Sequence, residues 1–182
     1  LLRAAERLGI FALIPETEWL PEYEPYIGRT LLYLDRGPVA IQKSKFAGLR
    51  FVEIPDGSKV LWQKAYLKKE RPELLVAVRL DLSENALSRV LELTREGVEV
   101  LHLRADENGM EKGPQGLFIK DRVKQIHLRL VEEGMRDQVT ILAGGGVAMA
   151  EHMAKLVICG ADAVTGDIPA LAAMECRVCK RC

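Results

Sequence analysis

The sequence has few of the features that define several common protein classes. Its first 158 residues contain no cysteine, whereas a disulfide framework would distribute cysteines through a small secreted domain. Aromatic residues make up only 5%, too few for a platform on which single-stranded nucleic acid stacks. Twenty-six basic residues balance 26 acidic ones, so the basic excess of a nucleic-acid-binding protein is also missing. These absences argue against a disulfide scaffold and against a nucleic-acid partner.

Long hydrophobic runs are missing as well. No apolar run reaches about 18 residues, the length expected of a helix that spans a membrane. No charged segment followed by an apolar one marks a secretory signal. We therefore expect a cytoplasmic protein without a membrane partner. The sequence starts at Leu1 rather than at Met, which predicts a fragment or a chain numbered from an internal point.

What the sequence does contain is 48% hydrophobic residues, enough for a substantial core, in runs that alternate with helical patterns. The runs are rich in Val, Ile and Leu rather than strictly alternating, as is typical of strands buried on both faces of a parallel sheet. A segment rich in Pro and Gly, 15–37, predicts a long structured loop. Strands are predicted at 10–14, 38–44, 49–54, 73–81, 98–106, 139–146 and 161–167, and helices at 2–8, 84–97, 117–134, 148–160 and from 168 onward.

Alternating strands and helices indicate either a (β/α)₈ TIM barrel or an open sheet. Seven strands preceded by a helix favour an α/β barrel that is incomplete at its N-terminus, with the first strand absent. An open flavodoxin-like sheet is the alternative. In the barrel we expect an upstream segment or a partner to close the gap. The predicted domains are a barrel at 1–175 and the start of a cysteine-rich segment at 176–182.

Three glycines end the strand at 139–146 and directly precede a helix. Such a turn lets backbone N–H groups approach a phosphate, and barrels often bind phosphate with the loops after their last two strands. Close packing of the loop against a neighbouring helix is the alternative. Asp167 is a poor neighbour for phosphate, so it is expected to bind a ribityl hydroxyl or to cap the last helix. The predicted site residues are Gly144, Gly145, Gly146, Thr165, Gly166 and Asp167.

The end of the chain has three cysteines at a regular spacing. Cys176, Cys179 and Cys182 form a C-x2-C-x2-C run, which is typical of iron–sulfur ligands in a reducing compartment. The spacing predicts a three-iron cluster, or a four-iron cluster whose fourth ligand comes from elsewhere. A zinc knuckle and a tail that merely contains thiols are the alternatives. The remaining cysteine, Cys159, falls within a predicted helix and is interpreted as a packing residue.

Residues 141–182 resemble the end of the FMN-binding synthase domain of glutamate synthase large subunits. The Gly-rich strand end, the GAD-type strand, the proline-containing turn and the cysteine cluster occur in the family's order. Earlier segments are also similar in order, although Arg79 stands where the family has a lysine. These segments are LGIFALIPETE at 8–18, AIQKSKFAGL at 40–49, PDGSK at 55–59 and VAVRL at 76–80.

The resemblance implies an FMN-dependent oxidoreductase domain that transfers electrons between flavin and an iron–sulfur cluster. Its implied reaction is glutamate synthesis from 2-oxoglutarate and ammonia. An electron-donor subunit or a ferredoxin is the implied partner, and the protein is expected to be an oligomer or part of a larger chain. The alternative function is a non-catalytic barrel remnant that keeps a phosphate site or binds a partner subunit.

The resemblance also suggests roles for four residues in the first half of the chain. Arg79, at the end of its strand, would stabilise reduced flavin at its N1–C2=O edge, unless it only pairs with a nearby carboxylate. Lys59 would reach phosphate or a substrate carboxylate, unless it is a solvated loop lysine. Gln42 and Ser44 would hydrogen-bond the flavin pyrimidine ring, unless they only cap a loop.

Overall fold

The protein is described from a computed structural model that covers residues 1–35, 47–114, 116–177 and 179. Its contacts divide the chain into two compact units, Leu1–Arg79 and Leu80–Cys182. The predicted strand at 38–44, with Gln42 and Ser44, lies outside the described residues. Within the described ranges no helix is long and apolar enough to cross a lipid bilayer.

The first unit is a parallel sheet with flanking helices. The elements are α1 Leu2–Leu8, β1 Ala12–Pro15, β2 Thr30–Tyr33, β3 Phe51–Pro55, α2 Val60–Glu70 and β4 Leu75–Asp81. The strands pair in chain order, β1 with β2, β2 with β3 and β3 with β4, and every one of these pairings is parallel. Two 3₁₀ segments, Glu16–Glu18 and Pro21–Arg29, connect β1 to β2.

Strand β2 corrects the predicted loop at 15–37. Pro21, Pro25 and Gly28 of that segment fall in the 3₁₀ segment Pro21–Arg29, and the chain becomes extended directly after it. Thr30, Leu31 and Leu32 are then buried between β1 and β3. A four-residue strand is too short to produce a clear periodic pattern, so the proline-rich composition dominated the prediction.

The second unit repeats the strand and helix alternation. The elements are α3 Ala86–Arg95, β5 Val100–Arg104, α4 Ile119–Glu132, β6 Thr140–Gly144, α5 Ala150–Ile158, β7 Ala163–Thr165 and α6 Ile168–Ala173, with a 3₁₀ turn at Arg136–Gln138. Strands β5, β6 and β7 are parallel and adjacent in chain order. The predicted strands and helices of this half are confirmed, with ends trimmed by one to several residues.

The two faces of the β5–β7 sheet differ in chemistry. Leu101, Leu103, Ile141 and Ala143 are completely buried on one face. Helix α4 packs on β6 and carries an apolar stripe at helical spacing, which consists of Ile119, Val123, Ile126 and Leu130. The opposite face holds the alternate residues of the same strands, among them His102, Arg104 and Thr165.

A buried ion pair fixes the loop that connects β5 to α4. Arg122, in the first turns of α4, donates through Nε and Nη2 to both carboxylate oxygens of Glu111, at 2.6 and 2.7 Å. The two side chains are only 10% and 1% exposed. The hydrogen bonds from Arg122 hold the pKa of the Glu111 carboxyl below its ordinary value of 4.5. A bidentate pair in this setting fixes the loop in one position relative to the helix.

We predict a pH-dependent contribution of this pair to the free energy of unfolding. Because the pKa of Glu111 is lowered in the folded state, its contribution is complete above pH 4.5 and is lost as the pH falls through the folded-state pKa. The difference in stability between wild type and Glu111→Gln should therefore be constant near neutral pH and shrink below pH 4.5. Urea unfolding at a series of pH values measures this difference.

Arg122→Met should cost about 3 kcal/mol at neutral pH, since it leaves the Glu111 carboxylate buried without its partner. Glu132→Gln is the matched control, because Glu132 is 64% exposed and pairs with Arg129 on the same helix. Exposed pairs contribute about 0–1 kcal/mol. An Arg122→Met variant as stable as this control would contradict the role assigned to the pair.

Candidate ligand site at the carboxyl ends of β5, β6 and β7

The last residues of three adjacent strands form a polar cluster. In the sheet register, Arg104 pairs with Gly144, and Gly144 pairs with Thr165. Two residues earlier on β5, His102 is completely buried, and its Nε2 lies 2.9 Å from Thr165 Oγ1. Because the carboxyl ends of parallel strands are where α/β folds bind ligands, this cluster is the candidate site.

Arg104 is the cation of the cluster and is paired with a carboxylate. It donates through Nη1 to Asp167 Oδ1 at 3.1 Å and through Nη2 to Oδ2 at 2.8 Å. The Arg104 side chain is 17% exposed and that of Asp167 is 51% exposed. Arg104 Nη1 would also lie 3.2 Å from a Cβ placed on Gly144. The guanidinium therefore lies directly beside the glycine turn.

The glycine turn packs against the loop that follows β5. Gly145 and Gly146 have φ of 108° and 67°, a region that favours glycine. A Cβ on Gly145 would contact the backbone oxygen of Ala105, and a Cβ on Gly146 would contact the backbone nitrogen of Gly109. Close packing is thus one reason for these glycines, although the packing partner is a loop rather than the helix considered from the sequence. It does not exclude the predicted approach to a phosphate.

The structure brings most of the predicted phosphate residues together. Gly144, Gly145, Gly146 and Thr165 meet at adjacent strand ends. Asp167 occupies the N-cap position of α6 but makes no side-chain capping bond, because its carboxylate binds Arg104.

One predicted site residue of this loop region is peripheral to the cluster. Gly166 is exposed, and a Cβ placed on it would lie 3.2 Å from the methyl group of Met153. Just beyond the glycines, Ala148 N–H donates to His152 Nδ1 at 3.3 Å.

Sequence reasoning missed Arg104. The available signal was the alternation in Val100–Arg104, where buried leucines occupy one face and His102 and Arg104 the other. The pairing of Arg104 with Asp167 spans 63 residues, and no local pattern encodes such a contact.

The two predicted residues of the first unit have separate local environments. Arg79 is the last residue of β4 that pairs with β3, and its guanidinium carbon lies 4.9 Å from the ring centre of Tyr33, in cation–π geometry. On that face of the sheet, the register places the completely buried Glu53 between Tyr33 and Ala77. Lys59 is exposed at the N-terminus of α2. Their roles toward a flavin stay predictions.

The cysteine segment begins where α6 ends. Cys176 N–H donates to Leu171 O at 2.9 Å, and Glu175 has a left-handed φ of 60°, so the chain leaves the helix just before Cys176. Cys176 is partly buried, Cys179 is exposed and Cys182 lies outside the described residues. The residues that the structure describes contain no group of three or more metal-binding side chains.

Comparison with known sequences confirms the resemblance to glutamate synthases. Residues 113–182 match the family described as a conserved region in glutamate synthase. The archaeal glutamate synthase [NADPH] of Methanocaldococcus jannaschii is 39% identical over 67 residues, 37% of this chain and 13% of that protein. The corresponding enzyme of Archaeoglobus fulgidus is 27% identical over 113 residues, 59% and 22% of the two chains. The archaeal-type glutamate synthase [NADPH] of Thermotoga neapolitana is 28% identical over 130 residues, which are 67% of this chain and 26% of that protein.

The matched part therefore spans about a quarter or less of the length of these relatives.

Solved structures define the fold class. A mutant flavocytochrome b2 with benzoylformate matches with a TM-score of 0.69 and 14% identity, over 91% of this chain and 50% of that chain. The recombinant flavin-binding domain of baker's yeast flavocytochrome b2 matches with a TM-score of 0.67, at the same identity and coverage. The fold is an incomplete (β/α)₈ barrel.

The contact between Gly144 and Thr165 gives a test of the cluster's packing. A Cβ on Gly144 would overlap Thr165 Oγ1. The backbone of Gly144 is not left-handed, so an alanine at this position would be strained by that overlap and not by its φ angle. Gly144→Ala should therefore destabilise the protein by about 1–3 kcal/mol through overpacking. In a Thr165→Ala background the same change should cost much less, because the overlapping atom is gone. Urea unfolding of the four variants of this double-mutant cycle measures the coupling. Additive effects would show that these two strand ends are not in contact.

Proposed function

We propose that this chain is the FMN-binding part of a flavin-dependent oxidoreductase of the glutamate-synthase type. The observation that carries the proposal is the strand-end cluster, in which a glycine turn, a hydroxyl and an arginine converge. The glycine turn and Thr165 lie within the residues that match glutamate synthase. Solved structures with the same fold include a flavin-binding domain.

The residues of the cluster suit the phosphate of FMN. Backbone N–H groups of a glycine turn, a hydroxyl and a guanidinium are all groups that bind phosphate. His102, through its contact with Thr165 Oγ1, would fix the direction of that hydroxyl. Asp167 is the exception, since its carboxylate repels an anion. Arg104 and Thr165 would hold the phosphate, with the turn at Gly145 and Gly146 beside it.

Bound FMN would supply the redox chemistry, while the protein supplies binding, orientation and charge. The proposed reaction converts 2-oxoglutarate and ammonium, with two electrons and two protons, into glutamate and water. The electrons would arrive from a ferredoxin or a donor subunit, and the names of the relatives point to NADPH as the electron source in those enzymes. Arg79 is the proposed cation at the flavin N1–C2=O edge, and Lys59 is proposed to bind a carboxylate.

The cysteine segment is proposed to hold an iron–sulfur cluster through Cys176, Cys179 and Cys182. The chain leaves α6 immediately before Cys176, and thiolates at a three-residue spacing outside a helix suit a ferredoxin-type run. Such a cluster would be the electron relay to the flavin.

A second function is favoured by one observation. The cation of the site is already paired with a carboxylate of the same chain. A barrel that has lost flavin binding and keeps a structural role, or binds a partner subunit, would need no free cation. The following experiment separates the two functions.

We predict that the purified protein takes up FMN, with the flavin absorbance retained on gel filtration. In the FMN-bound protein, Arg79→Met should lower the reduction potential of the flavin, because a nearby cation stabilises the anionic reduced form. Spectroelectrochemical titration measures the potential. Arg95→Met is the matched control, since Arg95 is exposed and pairs with Glu133 in the second unit. A colourless protein that takes up no added FMN would rule out the flavin-dependent function.

For the cysteines, we predict that anaerobic reconstitution with iron and sulfide loads the protein with both elements. Cys179→Ser should reduce the iron and labile-sulfide content at least severalfold, because it removes one of the proposed ligands. Cys159→Ser is the control and should leave the iron and sulfide content unchanged, because Cys159 lies at the end of α5, outside the predicted run. Iron and sulfide analysis gives the readout. Zinc without sulfide, or equal loading of both variants, would end the assignment.

A further inference from the structure

Asp167 occupies the position in which an incoming phosphate would be bound by Arg104. A guanidinium binds a carboxylate and a phosphate with the same two-pronged geometry. Both prongs of Arg104 are used by Asp167, at 3.1 and 2.8 Å. We propose that Asp167 is an internal competitor for the anion site, and that a phosphate group binds Arg104 only after displacing this carboxylate. The inference rests on the proposed function only for FMN as the source of the phosphate. The anion site at Arg104 is argued from the geometry of the pair alone.

The exposures of the two side chains support this direction of exchange. Arg104 is 17% exposed and lies against the strand ends, whereas Asp167 is 51% exposed. The backbone at the end of β5 is fixed by sheet hydrogen bonds, since Leu82 N–H donates to Arg104 O at 2.7 Å and Ala105 N–H donates to Gly144 O at 2.8 Å. The Asp167 carboxylate is therefore the member of the pair that lies nearer to solvent, and it is the group that an anion arriving from solvent would displace.

The competition has a consequence for specificity. Because a bound phosphate takes the place of the carboxylate, the largely buried Arg104 guanidinium keeps an anionic partner throughout the exchange. A dianionic phosphate gains more from Arg104 than a single carboxylate does, whereas a neutral ligand gains nothing. Weakly charged anions therefore do not displace Asp167. FMN, which carries a phosphate, should gain affinity from Arg104, whereas riboflavin, which carries none, should not.

The test uses inorganic phosphate as the probe, so that it does not depend on flavin binding. Amide chemical shifts of Gly145, Gly146 and Thr165 are followed in an NMR titration at constant ionic strength. Asp167→Asn should bind phosphate at least tenfold more tightly than wild type, because it removes the competing charge and Asn is a good N-cap for α6. Adding Arg104→Met to Asp167→Asn should abolish the gain. Glu132→Gln removes the same charge from an exposed ion pair on α4 and should bind like wild type.

Equal phosphate affinity of wild type and Asp167→Asn would overturn the inference, as would tight binding that survives Arg104→Met. Asp167→Ser, which also keeps an N-cap side chain, replaces the Asn variant if that variant does not fold. A parallel titration with FMN and riboflavin tests the proposed function separately. If Asp167→Asn gains phosphate binding while neither flavin binds, the proposed function fails and the inference stands. If FMN binds but the phosphate affinities are equal, the inference alone fails.

Discussion

The buried ion pair between Glu111 and Arg122 is the interaction on which the candidate site depends most. It ties the loop after β5 to the first turns of α4, and α4 is in turn fixed by its apolar stripe against the sheet. The same loop supplies the backbone atoms of Ala105 and Gly109 that lie against the glycine turn. Because the pair is buried and bidentate, it permits only one arrangement of the loop relative to α4. The loop therefore holds the glycine turn in a fixed position as well.

The site combines groups that attract an anion with one that repels it. A guanidinium, a hydroxyl and a glycine turn converge at the ends of three parallel strands, and Asp167 neutralises the guanidinium. A site of neutral net charge can hold its shape without a ligand and still exchange its own carboxylate for a stronger anion.

Local patterns predicted the second unit well and the first unit less well. The apolar runs and the helical spacing of residues such as Val123 and Ile126 are strong local signals, and the corresponding elements are confirmed. Strand β2 was missed because four residues after a proline-rich segment carry little periodic information. Within the site, Gly144 and Thr165 were predicted from their places at strand ends. Arg104 was not, since its function follows from a contact with a residue 63 positions away.

The central claim is that Arg104 and the turn at Gly145 and Gly146 receive the phosphate of FMN. A crystal structure of the protein soaked with FMN tests this claim most directly. We predict that the phosphate lies within hydrogen-bond distance of the Arg104 guanidinium and beside the glycine turn, with the Asp167 carboxylate moved away. A bound flavin whose phosphate lies elsewhere, with the pair of Arg104 and Asp167 intact, would contradict it.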